Sequence, residues 1–232
     1  NGKVVISYRD NGNSGAATAI VGTVSGTSIS FGSSFVVGAN SLWNWAVYDS
    51  TNQKVVIAYT DGGNSSFGTG IVGTVSGTSI SFGSPTVFES SNSAYISATF
   101  DSSNGKVVIA YQDNDNSDLG KAVVATVSGT SISFGTPVTF ESGITDNISA
   151  TFDSSNNKVV IAYRDRGDSD YGKGIVGTVS GTSISFGSPT TFESASSRFI
   201  SATFDSSNGK VVIAYQDWGN NYYGTVIVGT VS

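Results

Sequence analysis

Gly73-Thr74-Val75-Ser76-Gly77-Thr78-Ser79-Ile80-Ser81-Phe82-Gly83 is a stretch of sequence that returns throughout the 232-residue chain. Identical copies begin at Gly22 and Gly177, a copy that differs only in its first residue begins at Ala125, and a truncated copy begins at Gly229. Successive copies start 51 or 52 residues apart. A fixed period near fifty residues is typical of repeat architectures, so the chain is interpreted as an array of similar units.

Each unit contains four segments with strand character, which we name A to D. In the third unit these are 96–100 (ISATF), 106–111 (KVVIAY), 122–127 (AVVATV) and 131–134 (SISF). Segments B and C are continuous apolar runs, typical of strands buried on both faces, whereas D alternates and has one polar face. Asn104-Gly105 between A and B is a strong hairpin signal, so the four strands are expected to be antiparallel.

Four short antiparallel strands in a unit of about fifty residues predict an all-β fold, a β-propeller with four-stranded blades and a 52-residue repeat. We interpret 1–232 as one domain with units near 1–44, 45–95, 96–147, 148–199 and 200–232. B and C occur five times but A and D only four times. This count predicts a five-bladed ring that the two chain ends close through an incomplete or split blade. The alternatives are a segment of a larger ring, a ring completed by a second chain, and a β-solenoid.

The composition excludes several kinds of site. The chain contains no Cys, Met or His, and therefore no disulfide, thiol nucleophile, histidine base or Cys/His metal centre. Its net charge is −6 and it has no basic stripe, so we expect no nucleic-acid partner. No apolar run approaches the ~18 residues of a membrane span, so we expect no insertion into a membrane.

The repeats differ from one another mainly in two places. One is the B–C loop and the other is the connection from D to the next A strand, and an up-and-down blade places both at the same end of the ring. Binding residues are found disproportionately on such loops, and drift is the alternative explanation for their variation. The B–C loops are 10–17, 61–68, 113–120, 165–172 and 217–224, and the D–A connections are 38–44, 90–95, 142–147 and 194–199.

Large aromatic side chains are concentrated in these variable segments. Their flat apolar faces and polar edges suit sugar rings, and neighbouring polar groups could bond the hydroxyls. We therefore predict a ligand-binding set on the variable face, although Trp43 and Trp45 could instead repack a distorted blade. The set is Trp43, Trp45, Tyr95 and Phe199 in the D–A connections (Trp45 directly follows the first of them), Phe67, Tyr171, Trp218, Tyr222 and Tyr223 in the B–C loops, and Asp113, Asp165 and Asp217 beside them.

Every B strand ends in Tyr-x-Asp, and two of the loops that follow are rich in carboxylates. Oxygen ligands at alternating positions are typical of calcium loops, which makes Asp113, Asp115, Asp165 and Asp168 candidates for a calcium site. We favour the alternative that the first Asp caps its own loop in an Asx-turn, because the pattern recurs in every repeat. No metal or other cofactor is predicted.

No catalytic constellation is unique to one unit. Glu89, Glu141 and Glu193 occupy equivalent positions, and so do the Asp residues of the A–B turns. Glycoside hydrolysis needs one pair of carboxylates with separate roles, which repeated acidic residues do not provide. The sequence therefore predicts a protein that is not an enzyme.

The string Ile96-Ser97-Ala98-Thr99-Phe100-Asp101-Ser102-Ser103-Asn104-Gly105, with the strands that follow it, resembles the propeller repeats of tail-fibre-like and surface proteins of marine phages and bacteria. The resemblance covers the whole chain and implies an extracellular or virion-surface location. In architecture the chain is also similar to five-bladed lectin propellers of the tachylectin-2 type. None of their sugar-binding residues can be matched to positions here.

Together these observations predict a multivalent, lectin-like surface module that binds a glycan or a surface receptor through its B–C and D–A loops. The alternative is a structural or assembly propeller of a virion or cell surface that binds no small ligand. A glycoside hydrolase is a more remote alternative. The incomplete blade also suggests self-association.

Overall fold

The computed structural model describes residues 2–231, which form nineteen antiparallel strands and one short 3-10 helix at Asn11–Asn13. In this part of the chain no helix is long and apolar enough to cross a membrane. The strands are β1 Lys3–Asp10, β2 Ala16–Ser25, β3 Ser28–Phe31, β4 Phe35–Gly38, β5 Asn44–Asp49, β6 Lys54–Asp61, β7 Phe67–Ser76, β8 Ser79–Phe82, β9 Thr86–Asp101, β10 Lys106–Asp113, β11 Leu119–Ser128, β12 Ser131–Phe134, β13 Val138–Asp153, β14 Lys158–Asp165, β15 Tyr171–Ser180, β16 Ser183–Phe186, β17 Thr190–Asp205, β18 Lys210–Asp217 and β19 Tyr223–Gly229.

The predicted four-stranded antiparallel unit is present, and we number these blades 1 to 5 in chain order. In blade 3, β10 pairs with the second half of β9 on one side and with β11 on the other. The outermost strand is made of two pieces, because β12 pairs with one half of β11 and the start of β13 pairs with the other half. The predicted D segment is therefore only the first piece of the outer strand.

The prediction that a loop connects D to the next A strand is wrong in three of four places. There the chain runs as one 16-residue strand, β9, β13 or β17, whose first part belongs to one blade and whose second part belongs to the next. A β-bulge in each long strand shifts the register where it passes between blades. Between blades 1 and 2 the connection is one residue shorter, and two separate strands, β4 and β5, replace the long strand.

Adjacent blades pack face to face, with one apolar cluster between each pair. Side chains alternate along each B strand: Val107 and Ile109 face blade 2, whereas Val108 and Ala110 face blade 4. All four are completely buried. Burying a Val or Ile side chain contributes about 1.5–3 kcal/mol, so these repeated interfaces supply the main stabilisation of the fold.

The predicted closure into a five-bladed ring is not confirmed. Within residues 2–231, β1 pairs only with β2, and β19 pairs only with β18. Blade 1 therefore has no A strand and blade 5 has no outer strand, as the strand count indicated. The periodic sequence predicts which strands form each blade, but it does not predict whether the first and last blades contact each other to close a ring.

Candidate functional site

A cavity of about 690 Å³ lies where the starts of the A strands meet the ends of the B strands. Each of the five blades contributes at least one side chain, so the cavity lies at the centre of the arc, and we call it the axial cavity. None of the described residues that line it is Asp or Glu. Its lining residues are Ser7, Tyr8, Arg9, Leu42, Trp43, Asn44, Trp45, Tyr95, Ile96, Asn147, Ile148, Arg164, Arg198, Phe199 and Ile200.

The bulges in the long strands carry three equivalent side chains to the wall of this cavity. Tyr95, Asn147 and Phe199 occupy the same position in blades 3, 4 and 5, with φ angles of 48°, 51° and 51°. A left-handed backbone is common for Asn but costs about 1 kcal/mol or more for a bulky aromatic residue. β-Bulges often redirect a side chain beside a functional site, and here each bulge places a different residue in the same cavity.

Aromatic rings from four blades line the axial cavity, and Tyr8 is the one from blade 1. Trp43 stacks on Tyr95 with their ring centroids 4.2 Å apart, and Trp43 also packs against the core between blades 2 and 3. Trp45 is 39% exposed and Phe199 is 75% exposed, so both offer ring surface to a ligand. The structure thus brings together all four aromatic residues that were predicted in the D–A connections.

Trp45 occupies a position that has a structural role in other blades. Ser97 and Ser149 stand at the equivalent positions, and their hydroxyl oxygens accept hydrogen bonds from the backbone amides of Ala150 and Ala202. These bonds join neighbouring A strands around the axis. Blade 2 has an indole in place of the serine, which adds an aromatic surface at the cavity wall.

Three arginine side chains also line the cavity. Arg164 donates two hydrogen bonds to Asp146, which raises the pKa of the guanidinium. Arg198 lies over the ring of Trp218, with 4.0 Å between its guanidinium carbon and the ring centroid. Arg9 donates to the side-chain oxygens of Asn11 and, at 3.5 Å, Asn40. Cation–π stacking and side-chain amides hold two of these cations without neutralising them.

The five aromatic residues predicted in the B–C loops do not line the axial cavity. Phe67 and Tyr171 are half-buried, because each pairs with the long strand that follows it. Tyr223 holds the same position in blade 5 and is exposed, since no outer strand covers that blade. Trp218 packs edge-on against Tyr222 and reaches the axial cavity only indirectly, through Arg198.

The aspartates predicted as ligand-binding residues are buried and have structural partners. The carboxylate of Asp113 accepts from the Ser91 hydroxyl and pairs with Lys121. Asp217 accepts from the backbone amide of Asn220, which is the loop-capping role that the sequence favoured. Neither lines the axial cavity.

The carboxylates considered for calcium are also committed to partners within the protein. Asp165 and Asp168 both contact the amine of Lys173, at 2.8 and 2.7 Å. Asp115 accepts from the backbone amide of Asn92 in the neighbouring connection. Among residues 2–231 no group of three or more acidic side chains is arranged to hold a metal ion.

The repeated glutamates hold blades together. Glu89 and Glu141 accept hydrogen bonds from the hydroxyls of Tyr111 and Tyr163 in the next blade, at 2.8 and 2.9 Å. Tyr215 donates to Glu193 in the same way, at 3.0 Å. Burial, reinforced by this carboxylate, raises the pKa of Tyr215 to about 12. We call this interaction the tyrosine–glutamate latch.

Arg164, Arg198 and Asn147 line the axial cavity but were not selected from the sequence. A signal for them was present: the middle residue of Tyr-x-Asp is Arg9, Thr60, Gln112, Arg164 and Gln216 in the five blades. In blades 4 and 5 that residue pairs across the sheet with Asp146 and Arg198 respectively. This cross-strand pair changes from blade to blade, although the flanking Tyr and Asp do not.

Comparisons with known proteins support the fold. The chain matches no family model and no curated protein sequence. Among solved structures it is similar to the SapL1 lectin in complex with α-methyl fucoside, with a TM-score of 0.61 at 16% identity over 99% of this chain and 76% of the lectin. The Aleuria aurantia lectin, in complex with Fucα1-6GlcNAc, gives 0.59 at 16% identity over 99% and 78%. The chain shares its fold with lectin propellers.

An enzyme also appears among these structures. The intramolecular trans-sialidase of Ruminococcus gnavus, in complex with oseltamivir carboxylate, has a TM-score of 0.61 at 9% identity over 94% of this chain and 51% of the enzyme. Identities this low show similarity of the fold alone. Function therefore has to be argued from the side chains of this chain.

Proposed function

We propose that the chain is a lectin-like, carbohydrate-binding module that takes a sugar in the axial cavity. The observation that carries this proposal is the convergence of Trp43, Trp45, Tyr95 and Phe199, from three blades, on one cavity. Aromatic faces bind the apolar C–H face of a sugar, and concave sites with a few polar groups are typical of small-ligand binding. The lectin fold of the similar solved structures is consistent with this role.

The polar groups of the cavity suit hydroxyl recognition. Asn147 and the arginines provide donors at its wall, and the side-chain oxygen of Asn147 also accepts from the backbone amide of Phe199 at 2.8 Å. Among residues 2–231, those that line the cavity include no pair of carboxylates of the kind that glycoside hydrolysis requires. We therefore favour binding over catalysis, and we propose an extracellular or virion-surface location where such a module would meet glycans.

A glycan array, followed by titration of the best ligand, tests the proposal. Trp45→Ala and Phe199→Ala remove exposed rings and should each weaken binding about 5- to 30-fold, the effect of losing about 1–2 kcal/mol at a binding hot spot. Tyr48→Ala is the matched control, because Tyr48 is an exposed ring in the same strand as Trp45 and does not line the axial cavity.

Two results would contradict the proposal. The folded protein could bind no glycan on the array, or Tyr48→Ala could weaken binding as much as Trp45→Ala does. In the second case the sugar would bind elsewhere on the arc, and loss in Tyr171→Ala would place it on the B–C loops.

A second candidate function, assembly, is favoured by the two ends of the arc. Val228 is 59% exposed on the outer face of blade 5, whereas Val124, its equivalent in blade 3, is 1% exposed. Val4 and Ile6 are likewise exposed on the open face of blade 1. Exposed apolar faces of this kind often mark interaction surfaces.

We propose that a second copy of this chain covers these exposed faces. The open faces of blades 1 and 5 correspond to the two sides of the interface that repeats between neighbouring blades inside the arc. They are therefore complementary to each other, which favours head-to-tail association. Light scattering should show a mass that rises with concentration. Val228→Lys should abolish the rise, and Ser180→Lys at the exposed end of β15 should not. A constant monomer mass would exclude this candidate.

A further inference from the structure

The arginines and the lysines of the chain lie in different parts of the fold. It contains four arginines and seven lysines. Arg9, Arg164 and Arg198 all line the axial cavity, and the fourth, Arg166, lies 3.9 Å from Asp146, the partner of Arg164. None of the seven lysines lines this cavity. All of the arginines are thus gathered at one site of a protein whose net charge is −6.

The lysines have repeated structural partners. Five of them begin the B strands and donate to a threonine hydroxyl across the sheet, as Lys106 does to Thr126 at 2.8 Å. The other two, Lys121 in blade 3 and Lys173 in blade 4, pair with carboxylates. These contacts account for the lysines as parts of the scaffold.

The arginines are only partly neutralised. Arg164 is paired with Asp146, and Arg166 lies 3.8 Å from Asp170. Within residues 2–231, Arg198 and Arg9 form no ion pair, and the buried Nε of Arg198 has no hydrogen-bond acceptor. No carboxylate is present among the described residues that line the cavity, so its lining carries a surplus of positive charge.

Tyr95 lies within the electrostatic range of three of these arginines. Burial and the nearby Asp146 raise the pKa of Tyr95, whereas Arg164, Arg166 and Arg198 act in the opposite direction. All three arginines are thus close enough to influence one phenol at the cavity wall.

We infer that the axial cavity recognises an acidic sugar, one that carries a carboxylate or a sulfate ester. This inference rests on the proposed function, because the aromatic rings bind the sugar and the arginines add the selection for charge. The planar guanidinium fork matches the oxygens of either anionic group better than a lysine amine does. Arg198 and Arg9 are the residues assigned to the anion, since Arg164 is already held by Asp146.

Titration calorimetry with matched probes tests the inference. The carboxylate arm compares galacturonic acid oligomers with galactose oligomers of the same length, and the sulfate arm compares dextran sulfate with dextran. We expect an acidic probe to bind at least tenfold more tightly than its neutral match. Arg198→Gln and Arg9→Gln should each reduce that preference about tenfold, the cost of a charge-assisted hydrogen bond.

Lys158→Gln is the control, because it removes the same charge from the opposite end of a B strand and should leave the preference unchanged. A preference that falls equally in Lys158→Gln would reflect net charge alone and overturn the inference. Equal affinity for acidic and neutral probes, lost together in Trp45→Ala, would also overturn it while supporting the proposed function. No binding of any probe would reject both.

Discussion

Blades 3 and 4 carry the same side chains where blades join, but different side chains where they line the axial cavity. Tyr111 and Tyr163 each donate to a glutamate of the preceding blade. At the cavity wall the equivalent residues are Tyr95 and Asn147. Repetition therefore marks the positions that stabilise the fold, and divergence within the repeat marks the positions that are free to serve a ligand. Substitutions in the two regions should have different consequences.

The largest expected effect concerns the core, and the chain offers its own control. Ile109 and Ile6 occupy the same position of the B strand in blades 3 and 1, but Ile109 is 0% exposed and Ile6 is 41% exposed. Ile109→Ala should lower the free energy of unfolding by about 2–5 kcal/mol, because it leaves a cavity between two blades. Ile6→Ala should cost about 1 kcal/mol or less. Urea denaturation measures both, and equal losses would contradict the assigned packing.

The tyrosine–glutamate latch should contribute less than the core. Tyr163→Phe removes the hydrogen bond to Glu141 and should lower the free energy of unfolding by about 1 kcal/mol. Tyr59 provides the control, because Gly38 stands where the other blades have the glutamate. Tyr59→Phe should therefore be nearly neutral in urea denaturation. A similar cost for both variants would show that the latch does not stabilise the blade interface.

The same tyrosines predict a loss of stability at high pH. Burial, with the neighbouring glutamates, raises the pKa of Tyr111 and Tyr163 above the ~10 of a free tyrosine and that of Tyr215 to about 12. The native state thus keeps protons that the unfolded chain releases, so stability is complete below pH ~10 and falls as the pH rises further.

Urea midpoints measured between pH ~8 and ~11.5 test this prediction. Tyr163→Phe should make the decline less steep, because one of the groups responsible is gone. A midpoint that stays constant above pH ~10 would mean that these phenols titrate normally in the folded protein.

Much of the scaffold could be predicted from the sequence because each strand and turn of the blade recurs in several repeats. The Asp–Asn turn is an example: the carboxylate of Asp101 accepts from the backbone amides of Ser103 and Asn104, and Asp153 does the same in blade 4. The alternation of the SISF segments is confirmed in blades 2 to 4, where Ile80, Ile132 and Ile184 are buried between exposed serines, but not in blade 1, where all of β3 is exposed. Local hydrogen bonds and strand period determine these features, and both are visible in sequence.

The axial cavity was predicted only in part. The aromatic residues Trp45 and Phe199 were selected as loop residues, but Trp45 lies in the short strand β5 and Phe199 lies at the bulge of β17, and the arrangement of the blades brings both to the axial cavity. Arg198 was missed because its neighbours in space, Gln216 and Trp218, belong to another strand and its loop. Convergence of this kind depends on the register and curvature of the sheets, which a period of 52 residues does not encode.

The smallest effect on stability is expected at Phe199. Unlike the substitutions above, this one should stabilise the protein. This residue is 75% exposed with a φ of 51°, whereas blade 4 has Asn147 at the same position and in the same conformation. Asn adopts this left-handed backbone more readily than Phe, so Phe199→Asn should raise the free energy of unfolding by about 0.5–1 kcal/mol. The same variant should bind sugar more weakly, because it removes a ring from the axial cavity. Urea denaturation and glycan titration of this single protein test both statements, and a variant that is less stable than the parent would show that Phe199 supports the fold and not the ligand.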